Sequence, residues 1–200
     1  MPCFAGIPVG VLPQRRGADF TGSYTTPASP KPDSLLTQRF SHMKFADFIL
    51  TGSVKAEVQA SDKQGAIREL VRSLVDAGGI KKDDCDGIVK AIIKREELGS
   101  TGIGRGIAVP HTKHSCVDRL VGTVAVSREG IDFDSLDCEK VNLFFLLISP
   151  PDAPGDHLRA LEHITRQLKD DSFCRFLKQS DTQDKILDLL KEADANVYVK

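Results

Sequence analysis

The sequence predicts an α/β domain in which a mixed β-sheet is sandwiched between helices. Three observations carry that expectation. Val141 to Ile148 is apolar at every position but Asn142, the texture of a central strand covered on both faces. Leu120 to Val126 is rich in β-branched residues, which favour strands. Stripes with helical spacing lie on both sides of this pair in the chain, Ile67, Leu70, Val71, Leu74 and Val75 before it and Leu158, Leu161, Ile164 and Leu168 after it, so helices are available for both faces of the sheet.

The chain divides by composition. Residues 1–42 hold six of the ten prolines and no sustained period, so they are expected to be a disordered extension, or to precede a true start at Met43. Arg15-Arg16 is followed by polar residues rather than an apolar run, which speaks against a secretory signal. The ordered domain is expected over 43–194, with 195–200 as a tail. It opens with a short apolar segment, Lys44 to Leu50. Ser61 to Gln64 has the form of a capping box for the first helix, and Gly78-Gly79 supplies its left-handed stop. Asp83 or Asp84 can cap the second helix, whose stripe is Cys85, Ile88, Val89 and Ile92 and which should end near Glu96. Ile107-Ala108-Val109 reads as a short strand that Pro110 stops. Ser127 to Gly130 reads as a turn after the Leu120 strand. Pro150-Pro151 ends the central strand, Asp156 can cap the helix carrying Leu158, Asp171 to Leu177 is a short helix, and Ser180 to Gln183 repeats the capping-box pattern before Ile186, Leu189 and Leu190. There is no internal repeat.

Bulk properties exclude several classes. With 27 basic and 28 acidic residues and a formal net charge of −1, the chain has no electrostatic footprint for nucleic acid or an anionic membrane. Its longest apolar run is far shorter than the roughly 20 residues of a membrane-spanning helix. The five cysteines, Cys3, Cys85, Cys116, Cys138 and Cys174, are odd in number and contain no CxxC pair. This is the usage of reduced thiols in a cytoplasmic protein, not of a disulfide framework or a zinc site.

The candidate site is Gly99 to His114, GSTGIGRGIAVPHTKH. A Gly-rich loop, a short strand and an imidazole arrive there together, and the carboxyl end of a strand is where open α/β sheets bind ligands. His111 could serve as base, metal ligand or nucleophile. A metal needs converging ligands. His111 and His114 are expected in a loop, and His157 and His163, six apart, would lie about 120° apart around a helix. No HExxH and no GxSxG occurs, so the nucleophilic reading remains.

GSTGIGRGIAVPH, preceded by KREEL, closely resembles the active-site signature of the fructose/mannitol-type IIA components of the bacterial phosphoenolpyruvate-dependent phosphotransferase system. The TGIGxGIAxPH form is most similar to the fructose and nitrogen-regulatory branches, and the resemblance covers about Met43 to Ala193. The family's fold is a mixed sheet with helices on both faces. By this resemblance His111 is the phosphorylated histidine, taking a phosphoryl group from the phosphocarrier HPr and passing it to a IIB component. Arg95-Glu96 and His157-Leu158 match the family's upstream Arg and downstream His, which implies that Arg95 clamps phosphate oxygens and His157 donates to them from near a helix start. Backbone amides of Gly104, Arg105 and Gly106 are expected to add further donors; the alternative is that the glycines only shape a turn. Such a transfer needs a neutral imidazole nitrogen facing the phosphorus and preplaced donors for the equatorial oxygens; no metal or cofactor is required. Thr112 and Lys113 stand where the family often has a small residue, and Lys113 reads as a mobile exposed cation. His114 and His163 have no assigned role, the latter being expected on a helix flank. A nitrogen-type regulator, whose His111 phosphorylation state controls binding to target proteins, is the alternative function.

Overall fold

In the computed structural model, which describes residues 43–196, the apolar opening segment holds a single 3₁₀ turn, Phe45–Asp47, and no strand. Phe45, Phe48 and Ile49 are buried, and the chain from Phe48 to Val58 runs along the sheet, with Leu50 donating to Gly122 at 3.0 Å, Lys55 to Val124 at 3.0 Å and Val58 to Val126 at 2.8 Å. It covers a strand edge that would otherwise expose a row of backbone groups. The expectations for 1–42 lie outside the described residues.

α1 spans Lys63–Asp76 and α2 spans Cys85–Glu96. The cap of α1 is Asp62, whose carboxylate accepts from the Gly65 amide at 2.8 Å, and not Ser61. Both residues can cap, and Asp62, one residue nearer the helix, is the one placed to take the N3 amide. Gly78, at φ +73°, ends α1 as predicted. No side-chain bond caps α2; a single 3₁₀ turn, Lys82–Asp84, leads into it instead.

The sheet follows: β1 (Gly102–Gly104), β2 (Ile107–Ala108), β3 (His111–Lys113), β4 (Val121–Ile131) and β5 (Val141–Ser149). β1 and β2 form an antiparallel hairpin. β5 pairs parallel with β2 and β3 on one side and antiparallel with β4 on the other. The first predicted ending holds and the second is corrected. β2 ends at Ala108, before Pro110, and the chain rejoins β5 as β3: Ile107 pairs with Leu143 and His111 with Leu147, so the register is unchanged across the proline. Pro110 lacks only the donor, and its carbonyl still accepts from Leu147 at 3.0 Å. The expected turn at Ser127 to Gly130 is a bulge within β4, with Gly130 at φ +70°. Asn142, the polar exception in the central strand, holds that bulge by donating from Nδ2 to the Ser127 carbonyl at 2.9 Å and the Arg128 carbonyl at 3.3 Å; a polar group at that position has partners and costs little to bury.

Helices α3 (Pro154–Gln167), α4 (Asp171–Gln179) and α5 (Gln183–Asn196) follow. α3 starts at Pro154 after Ala153, and Asp156 is a first-turn residue paired with Arg159 rather than the cap. Its buried stripe is His157, Ala160, His163 and Ile164, whereas Leu158 is 65% exposed. Of the expected stripe Ile164 and Leu168 are buried and Leu161 packs against that core; Leu158 alone turns outward, because the two imidazoles take the core positions beside it. Thr182, and not Ser180, starts α5, with Oγ1 accepting from the Lys185 amide at 3.4 Å; Ser180 donates to the Phe176 carbonyl at 2.9 Å. α5 reaches Asn196, beyond the predicted start of the tail.

Side chains alternate along β5 to fill two cores. Leu143, Phe145 and Leu147 join Ile107, Val109 and the inner faces of α3, α4 and α5. Phe144, Leu146 and Ile148 join Ala108 and the stripes of α1 and α2. Each fully buried Leu or Phe contributes about 1.5–3 kcal/mol relative to exposure, so a central strand with no exposed apolar side chain anchors both layers. The predicted sandwich is what forms.

Candidate functional site

Strand parity decides which way His111 faces. Ile107 and Val109 point into the core under α3, and His111, two residues on, follows the same face. Its partner Leu147 and, two further, Ser149 share that side. α3 lies over it and presents His157, with the two ring centroids 5.6 Å apart at an interplanar angle of 57°. His111 therefore opens β3, just past Pro110 and in register with β2 along β5, and is not in a loop.

The His111 Nδ1 lies 2.8 Å from the Val109 carbonyl oxygen. A carbonyl only accepts, so Nδ1 carries the proton and a neutral ring has its lone pair on Nε2. Burial holds the His111 pKa below its ordinary value. The bond to Val109 opposes this, the positive charge of Arg95 adds to it, and the negative charge of Glu96 acts against it. At neutral pH the imidazole is unprotonated, with a free lone pair.

His157 is 6% exposed and sits one turn into α3. Burial, reinforced by the positive charge available at His111 and Lys113, pushes its pKa down to about 4. Its Nδ1 is 2.7 Å from Ser149 Oγ. A hydroxyl can donate or accept at this distance; where it donates to Nδ1, the single ring proton of the neutral imidazole resides on Nε2. Ser149 is the site residue that the sequence reading did not find; its only signal was position, the last residue of the central strand and two past the partner of His111.

Arg95 lies in the last turn of α2 and donates from Nη1 to the Gly99 carbonyl at 3.0 Å. It is near enough to lower the proton affinity of His111, so β3, α2 and α3 bring together His111, Arg95 and His157.

Gly104, Arg105 and Gly106 are elsewhere. They form the β1–β2 turn, with Arg105 at φ +54° and Gly106 at φ +66°, the positive-φ pair of a primed hairpin turn. Five residues of extended chain put this turn about 16 Å from His111. Its groups are also occupied: the Arg105 amide donates to Asp137 at 2.7 Å, its guanidinium bonds Asp171 at 2.5 Å and the Leu168 carbonyl, and Lys178 donates to its carbonyl. A cavity of about 320 Å³ beside the turn, lined by Arg105, Asp171, Cys174, Arg175 and Lys178 among others, is likewise remote from the imidazole. The turn shapes a hairpin and contributes no donor to the site.

Of the remaining candidates, Lys113 is exposed as expected. His114 accepts from the Cys116 amide at 3.2 Å on Nδ1. His163 is not on a flank: it is 1% exposed, 4.5 Å from the Phe45 ring and 3.3 Å from Asp194. Among the described residues no three His, Cys, Asp or Glu side chains are grouped to hold a metal ion, and no helix is long and apolar enough to cross a membrane.

Residues 47–193 match the family model of the phosphoenolpyruvate-dependent sugar phosphotransferase system, EIIA 2. The fructose-specific EIIA component of Haloferax volcanii is 34% identical over 139 residues, covering 70% of this chain and 89% of that protein. A nitrogen regulatory protein of Bradyrhizobium diazoefficiens is 31% identical over 138 residues, covering 69% and 88%. The fructose-specific EIIABC component of Bacillus subtilis is 31% identical, and there this chain spans only 24% of the relative's length. Among solved structures, the nitrogen regulatory protein IIA-Ntr of Neisseria meningitidis superposes with a TM-score of 0.66 at 24% identity, covering 73% of this chain and 98% of that one. IIA mannitol in its complex with phosphorylated IIB mannitol from Escherichia coli superposes with a TM-score of 0.60 at 24% identity, covering 70% and 95%. These two likenesses concern the fold, a mixed open sheet between helices.

Proposed function

This chain belongs to the EIIA 2 family of the phosphoenolpyruvate-dependent sugar phosphotransferase system, and on that premise we propose that it is a cytoplasmic phosphocarrier whose His111 takes a phosphoryl group from HPr and gives it to a IIB component. The observation that carries this reading is the His111 Nδ1 bond to the Val109 carbonyl, which leaves Nε2 as a lone pair on the face toward α3. The lone pair attacks the phosphorus of the donor phosphohistidine; a new N–P bond forms at His111 Nε2 as the donor's N–P bond breaks. In the second half the phosphoryl group passes to the nucleophile of the IIB component and the His111 lone pair is restored.

The transferring group spreads its charge over three equatorial oxygens, and positioned donors lower the barrier. His157 Nε2–H supplies one, kept in that tautomer by the Ser149 hydroxyl. The Arg95 guanidinium supplies others, with one nitrogen anchored on Gly99. No metal is needed. The IIB partner is supported by the IIA–IIB complex of the mannitol relative, and the cytoplasmic setting by four free cysteines among the described residues. The functional unit is the domain over 43–194.

A second reading has its own support, because nitrogen regulatory proteins match this chain as well as sugar-specific components do. In that role the phosphoryl group on His111 adds negative charge to the surface around it and so selects target proteins. The chemistry at His111 is the same in both.

Intact mass after incubation with phosphoenolpyruvate, enzyme I and HPr tests the reading. One acid-labile phosphoryl group on the wild type and none on His111→Ala is expected; no gain on the wild type beside a phosphorylated HPr control contradicts it. Binding of a IIB component, against binding of other proteins that depends on phosphorylation, separates transport from regulation.

A further inference from the structure

One carboxylate closes the loop between α2 and β1. Glu96 is the last residue of α2, and its side chain is 3% exposed. It accepts from the Thr101 amide at 3.1 Å and from the Thr101 hydroxyl, and it pairs with Lys63 Nζ at 2.9 Å. Lys63 comes from the first turn of α1 and lies 4.8 Å over the Phe133 ring. A buried carboxylate remains charged only where donors and a counter-charge replace water, and Glu96 has both.

The loop so closed touches the site twice. The Thr101 carbonyl accepts from the Val109 amide at 3.0 Å, and the Val109 carbonyl is the group that accepts from His111 Nδ1 at 2.8 Å. The Gly99 carbonyl, in the same loop, anchors Arg95 at 3.0 Å. A path of short contacts therefore runs from Lys63 through Glu96, Thr101 and Val109 to the imidazole, and a branch of it holds the guanidinium.

We propose that Glu96, held by Lys63, is a positioning residue for phosphoryl transfer: it fixes the Val109 carbonyl that selects the Nδ1–H tautomer of His111 and the Gly99 carbonyl that seats Arg95. The consequence for transfer rests on the function proposed above; the consequence for the imidazole does not. The charged and titratable groups facing His111 are Arg95 and Glu96 from α2 and His157 from α3, with Lys113 two residues along the strand. Removing the Glu96 charge leaves Arg95 unopposed, so the His111 pKa falls.

The test uses the ¹⁵N-labelled full chain and long-range ¹H–¹⁵N spectra of His111 across a pH titration, with transfer rates from phosphorylated HPr alongside. Wild type is expected to show the Nδ1–H tautomer alone. Glu96→Gln keeps an acceptor for Thr101 and loses the charge: the His111 pKa drops, the tautomer persists and transfer slows about 10-fold. Glu96→Ala loses both: the tautomers mix and transfer slows about 10²-fold, the scale of a misplaced reacting group. Thr101→Val, which removes only the hydroxyl contact, should mix the tautomers partially. A folded Glu96→Ala protein with wild-type His111 tautomer and pKa overturns the proposal. If that variant does not fold, an unchanged His111 pKa in Glu96→Gln together with an unchanged tautomer in Thr101→Val overturns it. A wild type that takes no phosphoryl group overturns the function instead, and the spectra still judge Glu96.

Discussion

The two ends of the segment from Gly104 to Lys113 are joined by one run of extended chain, yet they are built for opposite ends. At the Gly104–Gly106 turn every prominent polar group has an internal partner: Asp137 takes the Arg105 amide, Asp171 and Leu168 its guanidinium, and Lys178 its carbonyl. The two amide contacts on Asp137, from Arg105 and then Glu139, hold its carboxyl below the usual range, as expected of an acceptor already satisfied. At the other end only one nitrogen of His111 is bound, by Val109, and the ring lies 5.6 Å from that of His157 and within the electrostatic influence of Arg95. A glycine-rich motif continuous in sequence is thus divided in space, into a hairpin that fixes the strand and an imidazole that the strand presents.

Substitutions can break that contrast. The largest effect is expected from His111→Ala, which abolishes phosphorylation in the mass assay while leaving the thermal transition near that of the wild type. Next come Arg95→Ala and His157→Ala, each expected to slow transfer from phosphorylated HPr by about 10²-fold, the size of losing one charge-stabilising donor; a loss of less than a few-fold removes that residue from the site. Ser149→Ala should cost about 10-fold, since His157 remains but its tautomer is free, and the lost rate should be accompanied by a mixed tautomer at His157 in nitrogen spectra. At the opposite end of the strand, Arg105→Ala should leave the transfer rate within about two-fold, because losing an exposed ion pair costs little and touches no reacting group. A large loss there would reunite the two ends.

The pH dependence sharpens the same contrast. His157 has a folded pKa of about 4 and His111 is also held below its ordinary value, so the unfolded chain binds more protons between about pH 4 and 6.5. Stability is full above about pH 6.5 and declines as the pH falls through that window. The melting temperature should drop between pH 7.5 and 4.5, and His157→Gln should flatten the drop; a flat profile in the wild type contradicts the burial assigned to the imidazoles.

Most of the fold was legible because it follows from periodicity. The continuous apolar run of β5 and the stripes of α1 and α2 were read correctly, since burial on two faces or one leaves a direct mark in the sequence. The errors share a cause. Asp62 rather than Ser61, Thr182 rather than Ser180 and buried His157 rather than Leu158 all turned on which of two nearby side chains wins a contact, and that depends on tertiary placement. The break at Pro110 was legible; that β3 resumes beyond it in the same register was not, because that depends on the pairing with β5. In the site, His111, Arg95 and His157 were reached through a family resemblance, and the structure places them together. Ser149 was not reached, because a buried serine carries no signal until its partner is known, and Glu96 entered only as the end of α2 and the second half of the Arg95-Glu96 pair, with no role of its own.

The measurement closest to the central claim is a long-range ¹H–¹⁵N spectrum of the labelled chain after phosphorylation by phosphoenolpyruvate, enzyme I and HPr. Phosphorus coupled to Nε2 of His111, with Nδ1 still protonated against Val109, is the predicted result. Phosphorylation at Nδ1, at another histidine or at none would contradict the geometry on which the proposed transfer rests.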